Sequence, residues 1–240
     1  MFTDYIDELY KAAETAYPEE FVALITESGV MVVENVHEDP HNHFEVSLED
    51  TLTAHKEGLL AVVHSHCDTD LAPSKHDMLG QESMDIPWGI IQVSQGVATG
   101  DIWWDGKASP EPYEGRRFIH GISDCYSLVR DFYLDHGVTL PIVPREWEWW
   151  EHEELFDNLF EGFGFIEVPL HAARYGDMLV INVRGKFQHH CGVLLDGEEF
   201  IHHPGANEPY NEGRLSVRDS IHRYAPYITK VLRHKEFKRD

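Results

Sequence analysis

A break near the middle of this chain governs how it can fold. Two prolines and two glycines fall within residues 105–115, the densest loop signal in the 240-residue sequence. A chain of this length accommodates one large domain or two of ordinary size, and a central break favours two. The order of the apolar runs also changes across the break. We therefore predict two domains, at residues 1–106 and 112–240.

The apolar runs on the two sides of the break predict different arrangements. Before it, we predict helices and strands interspersed: helices at 2–17 and 74–82, and strands at 21–26, 30–36, 59–64, 89–94 and 97–104. After it, we predict helices first and strands later: helices at 124–136 and 147–160, then strands at 177–183, 190–195, 199–203 and 227–234. Both halves are thus expected to combine helices with a sheet.

Composition excludes several classes of protein. Hydrophobic residues make up 42% of the chain, which is enough for packed cores and excludes a disordered chain. The net charge of −24 repels phosphate backbones and anionic lipid, so we expect no nucleic-acid or membrane-surface binding. No apolar run is long enough to suggest a membrane segment, and we expect no signal peptide. Its three scattered cysteines do not form a disulfide framework, which favours a protein made in a reducing compartment.

A pair of histidines ends an apolar run in the N-terminal half. His64 and His66 stand two apart at the end of the run that begins at Leu59. Alternate side chains of a strand share one face, so both imidazoles can reach one metal ion. Asp77, one turn inside the next predicted helix, adds a carboxylate. Two imidazoles and a carboxylate make a catalytic type of zinc site with a position open for water, although ordinary strand-end histidines are the alternative.

The spacing His-Ser-His, seven residues, Ser, two residues, Asp resembles the signature of the JAMM (MPN-type) metallopeptidases. The pattern is complete here, with Ser74 as its second serine. The resemblance implies that His64, His66 and Asp77 bind Zn²⁺ and that Ser74 helps to hold the oxyanion.

The same resemblance implies a general base upstream of the histidines. The family has a glutamate in a Pro-x-Glu segment that enters the first strand, and Glu20 matches it here. Glu27 is nearby, but its spacing does not match. Cys67 stands where the family often has proline, and we expect a small buried residue there rather than a further ligand.

In the C-terminal half, Cys125 falls in the first turn of a predicted helix, where the helix dipole favours the reactive thiolate. A later predicted strand begins at His190, and a histidine there would complete the nucleophile–base pair of acyl transfer. The hairpin that follows offers two choices for a third, orienting residue. A two-residue Asp-Gly turn sets His190 opposite His203, whereas a one-residue bulge sets it opposite His202. The residues alone leave both choices open.

The motifs Asp-Cys-x-x-Leu-Val, Gly-Asp-x-Leu-Val, His-x-Gly-Val and Ile-His, in this order, resemble the NlpC family of papain-like cell-wall peptidases. The resemblance implies that Cys125 is the nucleophile and His190 the base. It selects His202, twelve positions after the base, as the third catalytic residue. It also implies that Tyr113, twelve positions before the nucleophile, binds substrate. We expect Cys191, inside a strand, to belong to the core.

Two further clusters allow more than one interpretation. Trp147, Trp149 and Trp150 lie in an acidic segment and would form either a substrate platform or the packing face of a helix, and we favour packing. The histidine cluster at 37–43 is interrupted by Pro40, so we expect a solvated turn there.

A JAMM-type domain followed directly by an NlpC-type domain resembles the tail-tip assembly proteins of lambda-like long-tailed phages. The resemblance implies an α/β JAMM-type metallopeptidase fold followed by an α+β papain-like NlpC fold. It implies a place in the distal tail of the virion after assembly in the host cytoplasm. The partners would be other tail-tip proteins and bacterial peptidoglycan.

Three functions follow as hypotheses. The C-terminal half is a cysteine endopeptidase that cuts D-γ-glutamyl–diamino acid bonds of the cell wall. The N-terminal half is a zinc-dependent peptidase that trims a tail protein. Alternatively, both folds serve only in docking and assembly, because a fold does not fix a function. The complete sets of site residues favour the two enzymatic hypotheses.

Overall fold

The computed structural model describes residues 2–239, with the backbone alone at 157 and 158. These residues form two compact units, the first ending at Lys107 and the second beginning at Ala108. Each unit has its own sheet and its own core. Within residues 2–239, none of the helices has the length and apolar character that a membrane span requires.

The elements of the first unit are, in chain order, α1 (Ile6–Ala16), β1 (Val22–Thr26), β2 (Gly29–Val33), α2 (Leu48–Lys56), β3 (Leu59–Cys67), α3 (Lys75–Met84), β4 (Trp88–Ser94) and β5 (Val97–Trp104). The strands form one sheet in the order β2-β1-β3-β4-β5. Strands β3 and β4 are parallel, and the other neighbours are antiparallel.

The pleat of β3 separates the core of the first unit from its polar face. Leu9 and Ala13 of α1 are buried in one cluster with Ala61 and Val63 of β3. Because side chains alternate along a strand, His64 points to the opposite face, which α3 covers. The apolar alternation of β3 therefore also sets the direction of the candidate metal ligands.

The elements of the second unit are, in chain order, β6 (Arg117–Ile119), α4 (Cys125–Asp135), α5 (Leu155–Leu159), β7 (Phe165–Val168), β8 (Met178–Ile181), β9 (His190–Leu194), β10 (Glu199–His202), β11 (Tyr210–Leu215), β12 (Val217–Ser220), α6 (Ile221–Tyr224) and β13 (Ile228–His234). Six strands form a sheet in the order β12-β10-β9-β8-β13-β7, and β6 pairs with β11. The main core lies between α4 and this sheet, where Val129 and Phe132 pack with Cys191 and Val193. Cys191 is thus confirmed as a core residue.

The helices predicted at 74–82 and 124–136 are confirmed as α3 and α4. The strands that carry the candidate histidines are confirmed as β3, β9 and β10, with ends that differ by a few residues. Helix α2, in contrast, is not predicted by the sequence pattern.

The single helix predicted at 147–160 is wrong. This segment contains a 3-10 turn at Trp149–Glu151 and then the short helix α5. Glu148 has a left-handed backbone (φ 57°), which a continuous helix does not allow. Trp149 is buried in the core of the unit, whereas its neighbour Trp150 is only partly buried at the edge of that core. Where the predicted helix is interrupted, the two adjacent tryptophans therefore have different surroundings.

Candidate active sites

Three candidate metal ligands converge between β3 and α3. The Nε2 atoms of His64 and His66 lie 3.2 Å apart, and carboxylate oxygens of Asp77 lie 3.3 Å from the first and 3.5 Å from the second. Bonds of about 2.0–2.1 Å at tetrahedral angles separate ligand atoms by about 3.3 Å, so the spacing fits zinc. Within residues 2–239, this is the group of His, Cys, Asp or Glu side chains whose ligand atoms can share an ion.

Neighbouring groups orient these ligands. Nδ1 of His66 lies 3.0 Å from the carbonyl oxygen of Asp70. A carbonyl oxygen only accepts, so Nδ1 carries the proton and Nε2 keeps its lone pair for a metal. Burial lowers the pKa of His64, which keeps that ring neutral. Burial alone would raise the pKa of Asp77, but the two imidazoles hold this pKa well below its usual range.

Ser74 is the N-cap of α3 and forms a capping box with Asp77. Its hydroxyl accepts a hydrogen bond from the backbone N–H of Asp77 and donates one to the Asp77 carboxylate at 2.7 Å. Ser74 therefore lies beside the candidate ligands and fixes one of them. Ser74 can donate to an oxyanion only when its hydrogen bond to the Asp77 carboxylate is broken.

Glu20 precedes β1 and lines a small cavity of about 120 Å³ together with His66 and Asp77. Burial raises the pKa of Glu20 to about 8. Glu27 follows the opposite end of β1. The structure thus brings Glu20, and not Glu27, to the candidate ligands.

The two other features noted in this half do not join the ligand group. The thiol of Cys67 is half-buried and donates to the carbonyl oxygen of Glu19 at 3.4 Å. Residues 37–43 form a largely exposed turn, as predicted. His41 and His43 of this turn line the same small cavity as Glu20.

In the second unit, Cys125 is the first residue of α4, and Asp124 caps this helix by accepting two backbone N–H groups at 3.0 and 3.1 Å. The neighbouring thiol of Cys191, which is buried, is the largest influence on the pKa of Cys125. Together with His190, this thiol outweighs the effect of burial and lowers the pKa of Cys125 to about 5. The reactive thiolate is therefore the main form at neutral pH.

His190, at the start of β9, lies beside Cys125; burial lowers the pKa of its ring, and the neighbouring Cys125 opposes this effect. Its Nε2 atom lies 2.7 Å from Nδ1 of His202, on the neighbouring strand β10. Burial lowers the pKa of His202 to about 3, so this ring is neutral. The other nitrogen of His202, Nε2, lies 4.0 Å from a carboxylate oxygen of Asp219. The structure thus brings Cys125, His190 and His202 into one chain of contacts.

Both registers predicted for the hairpin of β9 and β10 are wrong. His202 pairs with Gly192, so neither His202 nor His203 lies opposite His190. In place of a two-residue Asp-Gly turn, Asp196–Glu198 form a 3-10 turn, which lengthens the loop and shifts the register. His202 reaches His190 diagonally across the pair. Gly192 permits this approach, since a Cβ there would lie 2.8 Å from the Cβ of His202.

His203 has a different environment from its neighbour. Its buried ring packs edge-on against Phe118, with ring centroids 5.3 Å apart. Burial lowers the pKa of His203 to about 4. Of the two histidines that the hairpin offered, His202 is the one in hydrogen-bond contact with His190.

The structure does not bring Tyr113 to the nucleophile. Its hydroxyl donates to the carboxylate of Asp135, and Arg116 lies over its ring. Asp135 is the last residue of α4 and Cys125 is the first, and ten residues of α-helix span about 15 Å. Phe118 and His120 of the intervening segment, and not Tyr113, line the cleft around Cys125.

A cleft of about 600 Å³ surrounds Cys125, and aromatic side chains form much of its wall. Trp147 and Trp150 line it with their rings edge to face at 5.0 Å. Trp149 also reaches the cleft lining, but it is buried in the core and packs against Phe156, with ring centroids 4.8 Å apart. The predicted packing role is therefore confirmed for Trp149, whereas Trp147 and Trp150 face the cleft.

Sequence reasoning missed the group that holds the start of α4 in place. The Arg145 guanidinium forms a buried ion pair with Asp124 and holds the pKa of this carboxyl below its usual range, against the effect of burial. Aspartate directly before a helix is a recognisable N-cap signal. Nothing local marks the arginine, which lies 21 residues away.

Similarity to known proteins covers nearly the whole chain. The model of the NlpC/P60 family matches residues 104–225, and that of the prokaryotic homologs of the JAB domain matches residues 2–105. Tail tip assembly protein K of Escherichia phage N15 is 28% identical over 244 residues, which cover 96% of this chain and 94% of that protein. Tail tip assembly protein K of Escherichia phage lambda is 35% identical over 161 residues, which cover 66% of this chain and 76% of that protein.

Among solved structures, a JAB1/MPN domain protein from Archaeoglobus fulgidus is similar to this chain with 17% identity and a TM-score of 0.27, covering 42% of this chain and 81% of that one. The family matches divide the chain into an N-terminal JAB/MPN-like domain and a C-terminal NlpC/P60 domain. This chain therefore belongs to the NlpC/P60 family, with a JAB-homologous domain ahead of the NlpC/P60 domain, and to the family that includes tail tip assembly protein K of phage lambda.

Proposed function

We propose that this protein is a component of a bacteriophage tail tip and that its C-terminal domain is a cysteine peptidase of the bacterial cell wall. Membership of the NlpC/P60 family supports a hydrolase, and similarity to the phage proteins supports a place in the distal tail. The observation that carries the proposal is the chain of contacts from Cys125 through His190 to His202. Other tail-tip proteins would surround it after assembly in the host cytoplasm, and peptidoglycan would be its target.

The proposed reaction is transfer of an acyl group to a thiol. The Cys125 thiol passes its proton to His190, and the thiolate attacks the carbonyl carbon of the amide and forms a C–S bond, while the N-terminus of α4 stabilises charge on the carbonyl oxygen. As the C–N bond breaks, His190 gives its proton to the leaving amine. Water then attacks the thioester as His190 takes its proton, and the C–S bond breaks to restore the thiolate.

His202 orients the base in this proposal. When His190 is protonated, both of its ring nitrogens donate hydrogen bonds, and the neutral ring of His202 accepts one of them through Nδ1. The proton of His202 is then on Nε2, the atom that faces Asp219. This arrangement stabilises the imidazolium and holds its second N–H toward Cys125.

The proposed substrate is the D-γ-glutamyl–diamino acid bond in peptide stems or crosslinks of peptidoglycan. Defined muropeptides incubated with the purified chain would be analysed by mass, beside Cys125→Ala. A product cut after the γ-linked D-glutamate, absent with the variant, is the expected result. Folded wild-type protein that leaves every muropeptide intact would contradict the proposal.

The N-terminal domain supports a second function, a zinc-dependent peptidase or isopeptidase that processes a tail protein. The observation that favours it is the spacing of the candidate ligand atoms of His64, His66 and Asp77. Zinc bound there would lower the pKa of a bound water toward about 7. The positive charge of the metal would lower the raised pKa of Glu20, whose ionised carboxylate would then accept a proton, and Ser74 would keep Asp77 in place.

This second function is tested on the tail proteins themselves. Their masses would be compared in particles made with wild-type protein and with Glu20→Gln, and Glu27→Gln is the matched control. One tail protein that remains longer only with Glu20→Gln is the expected result. If both domains serve only in assembly, a chain carrying both Cys125→Ala and His66→Ala still yields infectious particles.

A further inference from the structure

The cleft around Cys125 contains more positive than negative charge, in a chain whose net charge is −24. Its lining includes three arginines, Arg145, Arg214 and Arg223, but Asp124 is its one carboxylate. Asp124 is already in an ion pair with Arg145. Arg223 is in an ion pair with Asp219 at 3.1 Å. These pairs leave the charge of Arg214 uncompensated.

Arg214 is held in place by a neutral group. Its Nε atom donates to the carbonyl oxygen of Gly205 at 2.9 Å, in the loop that follows β10 and lines the cleft. Within the part of the chain that the structure describes, no carboxylate lies within 4.0 Å of its guanidinium nitrogens. Arginines nearby differ in this respect: Arg117 is 3.2 Å from Glu212, and Arg218 is 2.5 Å from Glu114.

The aromatic side chains of the cleft wall restrict the chemical class of the ligand further. Trp147 and Trp150 present aromatic surface, and His189 lies beside Trp150 with ring centroids 5.8 Å apart. Such a site suits a ligand with an uncharged body and at least one anionic group, because an uncompensated guanidinium at the rim favours a carboxylate.

We infer that Arg214 binds a carboxylate of the substrate and makes the site selective for peptides whose γ-linked glutamate has a free α-carboxyl group. This inference rests on the proposed cell-wall peptidase function. A γ-glutamyl bond uses the side-chain carboxyl and leaves the α-carboxyl free on the residue whose acyl group is transferred. A guanidinium forms two parallel hydrogen bonds with a carboxylate, whereas a carboxamide offers one acceptor and no charge.

The test uses two peptides that differ in one group. One is L-Ala-γ-D-Glu-diaminopimelate, and the other has the same sequence with the α-carboxyl of glutamate converted to a carboxamide. We expect wild-type protein to prefer the carboxylate peptide in kcat/KM by about 10-fold, the lower end for a charged hydrogen bond at an exposed site. Arg214→Gln should abolish the preference by lowering only the rate for the carboxylate peptide. Arg218→Gln, whose arginine lies outside the cleft lining, is the matched control and should keep the preference.

Binding of the same peptides to the Cys125→Ala chain, measured by calorimetry, separates this inference from the proposed function. The inference is supported if the carboxylate peptide binds more tightly than the carboxamide peptide and Arg214→Gln removes this difference. If the wild type nevertheless cuts neither peptide, only the proposed hydrolysis is rejected. Equal cleavage of the two peptides overturns the inference and leaves hydrolysis standing. Equal binding also overturns the inference, whether or not the wild type cuts either peptide. Equal loss for both peptides with Arg214→Gln also overturns it, because Arg214 then acts only by holding the Gly205 loop. If the peptides are neither cut by the wild type nor bound by the Cys125→Ala chain, the inference and the proposed function are both rejected.

Discussion

Nε2 of His190 lies 2.7 Å from Nδ1 of His202, although the two residues are not paired across their strands. The contact is diagonal, and Gly192 opposite His202 leaves room for it. Because His202 is neutral, it accepts a hydrogen bond from a protonated His190 and holds that ring toward Cys125. The geometry of the base therefore depends on a histidine twelve residues away and on a glycine between them.

Replacement of His202 by alanine should lower kcat for muropeptide hydrolysis by about 100-fold or more, because the base loses the group that orients it. KM should change little, since His202 is proposed to act on the base and not on the ground-state substrate. Steady-state kinetics would measure both constants. His222→Gln alters an exposed histidine paired with Glu198 and serves as control. Wild-type kcat in His202→Ala would contradict the role of His202.

The low pKa of Cys125 predicts an unusual pH profile of alkylation. The thiolate forms as pH rises through about 5, so the rate of reaction with iodoacetamide should rise there, instead of near the pKa of about 8.5 of a free thiol. A chain with Cys67→Ala removes the half-buried thiol of the other domain, and intact mass would follow the reaction. A midpoint near 8.5 would show that the nucleophile is not activated.

The thiol of Cys191 should carry much of this activation. Cys191→Ala removes the neighbouring thiol that most lowers the pKa of Cys125, so the alkylation midpoint should move to higher pH. Cys191→Ser keeps a donor of similar size and should restore the low midpoint. Equal midpoints in the alanine and serine variants would mean that His190 and the helix dipole suffice.

The candidate metal site was predictable because its residues are close in sequence. A strand places His64 and His66 on one face, and the N-cap at Ser74 fixes where Asp77 lies. The hairpin register was not predictable, because the residues 195–199 form a longer turn than Asp-Gly suggests. Tyr113 and Arg145 depend on how distant segments pack on α4, and sequence spacing carries no information about that packing.

Gly192→Ala should destabilise the C-terminal domain and disrupt its site together. The new Cβ would lie 2.7 Å from the carbonyl oxygen of Ile201 and 2.8 Å from the Cβ of His202, so the two strands must move apart. Forced overpacking of this kind costs about 1–3 kcal/mol, which urea unfolding would detect. Gly213→Ala, with its nearest neighbour at 3.6 Å, is the control. Wild-type stability and hydrolysis in Gly192→Ala would show that the strands do not need this close approach.

Metal content separates the candidate ligands from their neighbours. Purified wild-type protein should contain about one zinc ion per chain, and His64→Ala should contain almost none, because a site with three protein ligands does not hold zinc with two. Cys67→Ser should keep its zinc, since the Cys67 thiol contacts a carbonyl group outside the ligand group. Elemental analysis by mass spectrometry would measure these contents. If His64→Ala retains zinc and Cys67→Ser loses it, the proposed set of zinc ligands is wrong.

In the proposed reaction, Cys125 forms a covalent acyl-enzyme with a cell-wall peptide. The intact mass of the chain after rapid mixing with a muropeptide and acid quenching detects this intermediate. We expect a transient mass increase equal to the acyl half of the peptide, located at Cys125 by peptide mapping and absent in Cys125→Ala. Cleavage without any adduct, or continued cleavage by Cys125→Ala, would show that Cys125 is not the nucleophile.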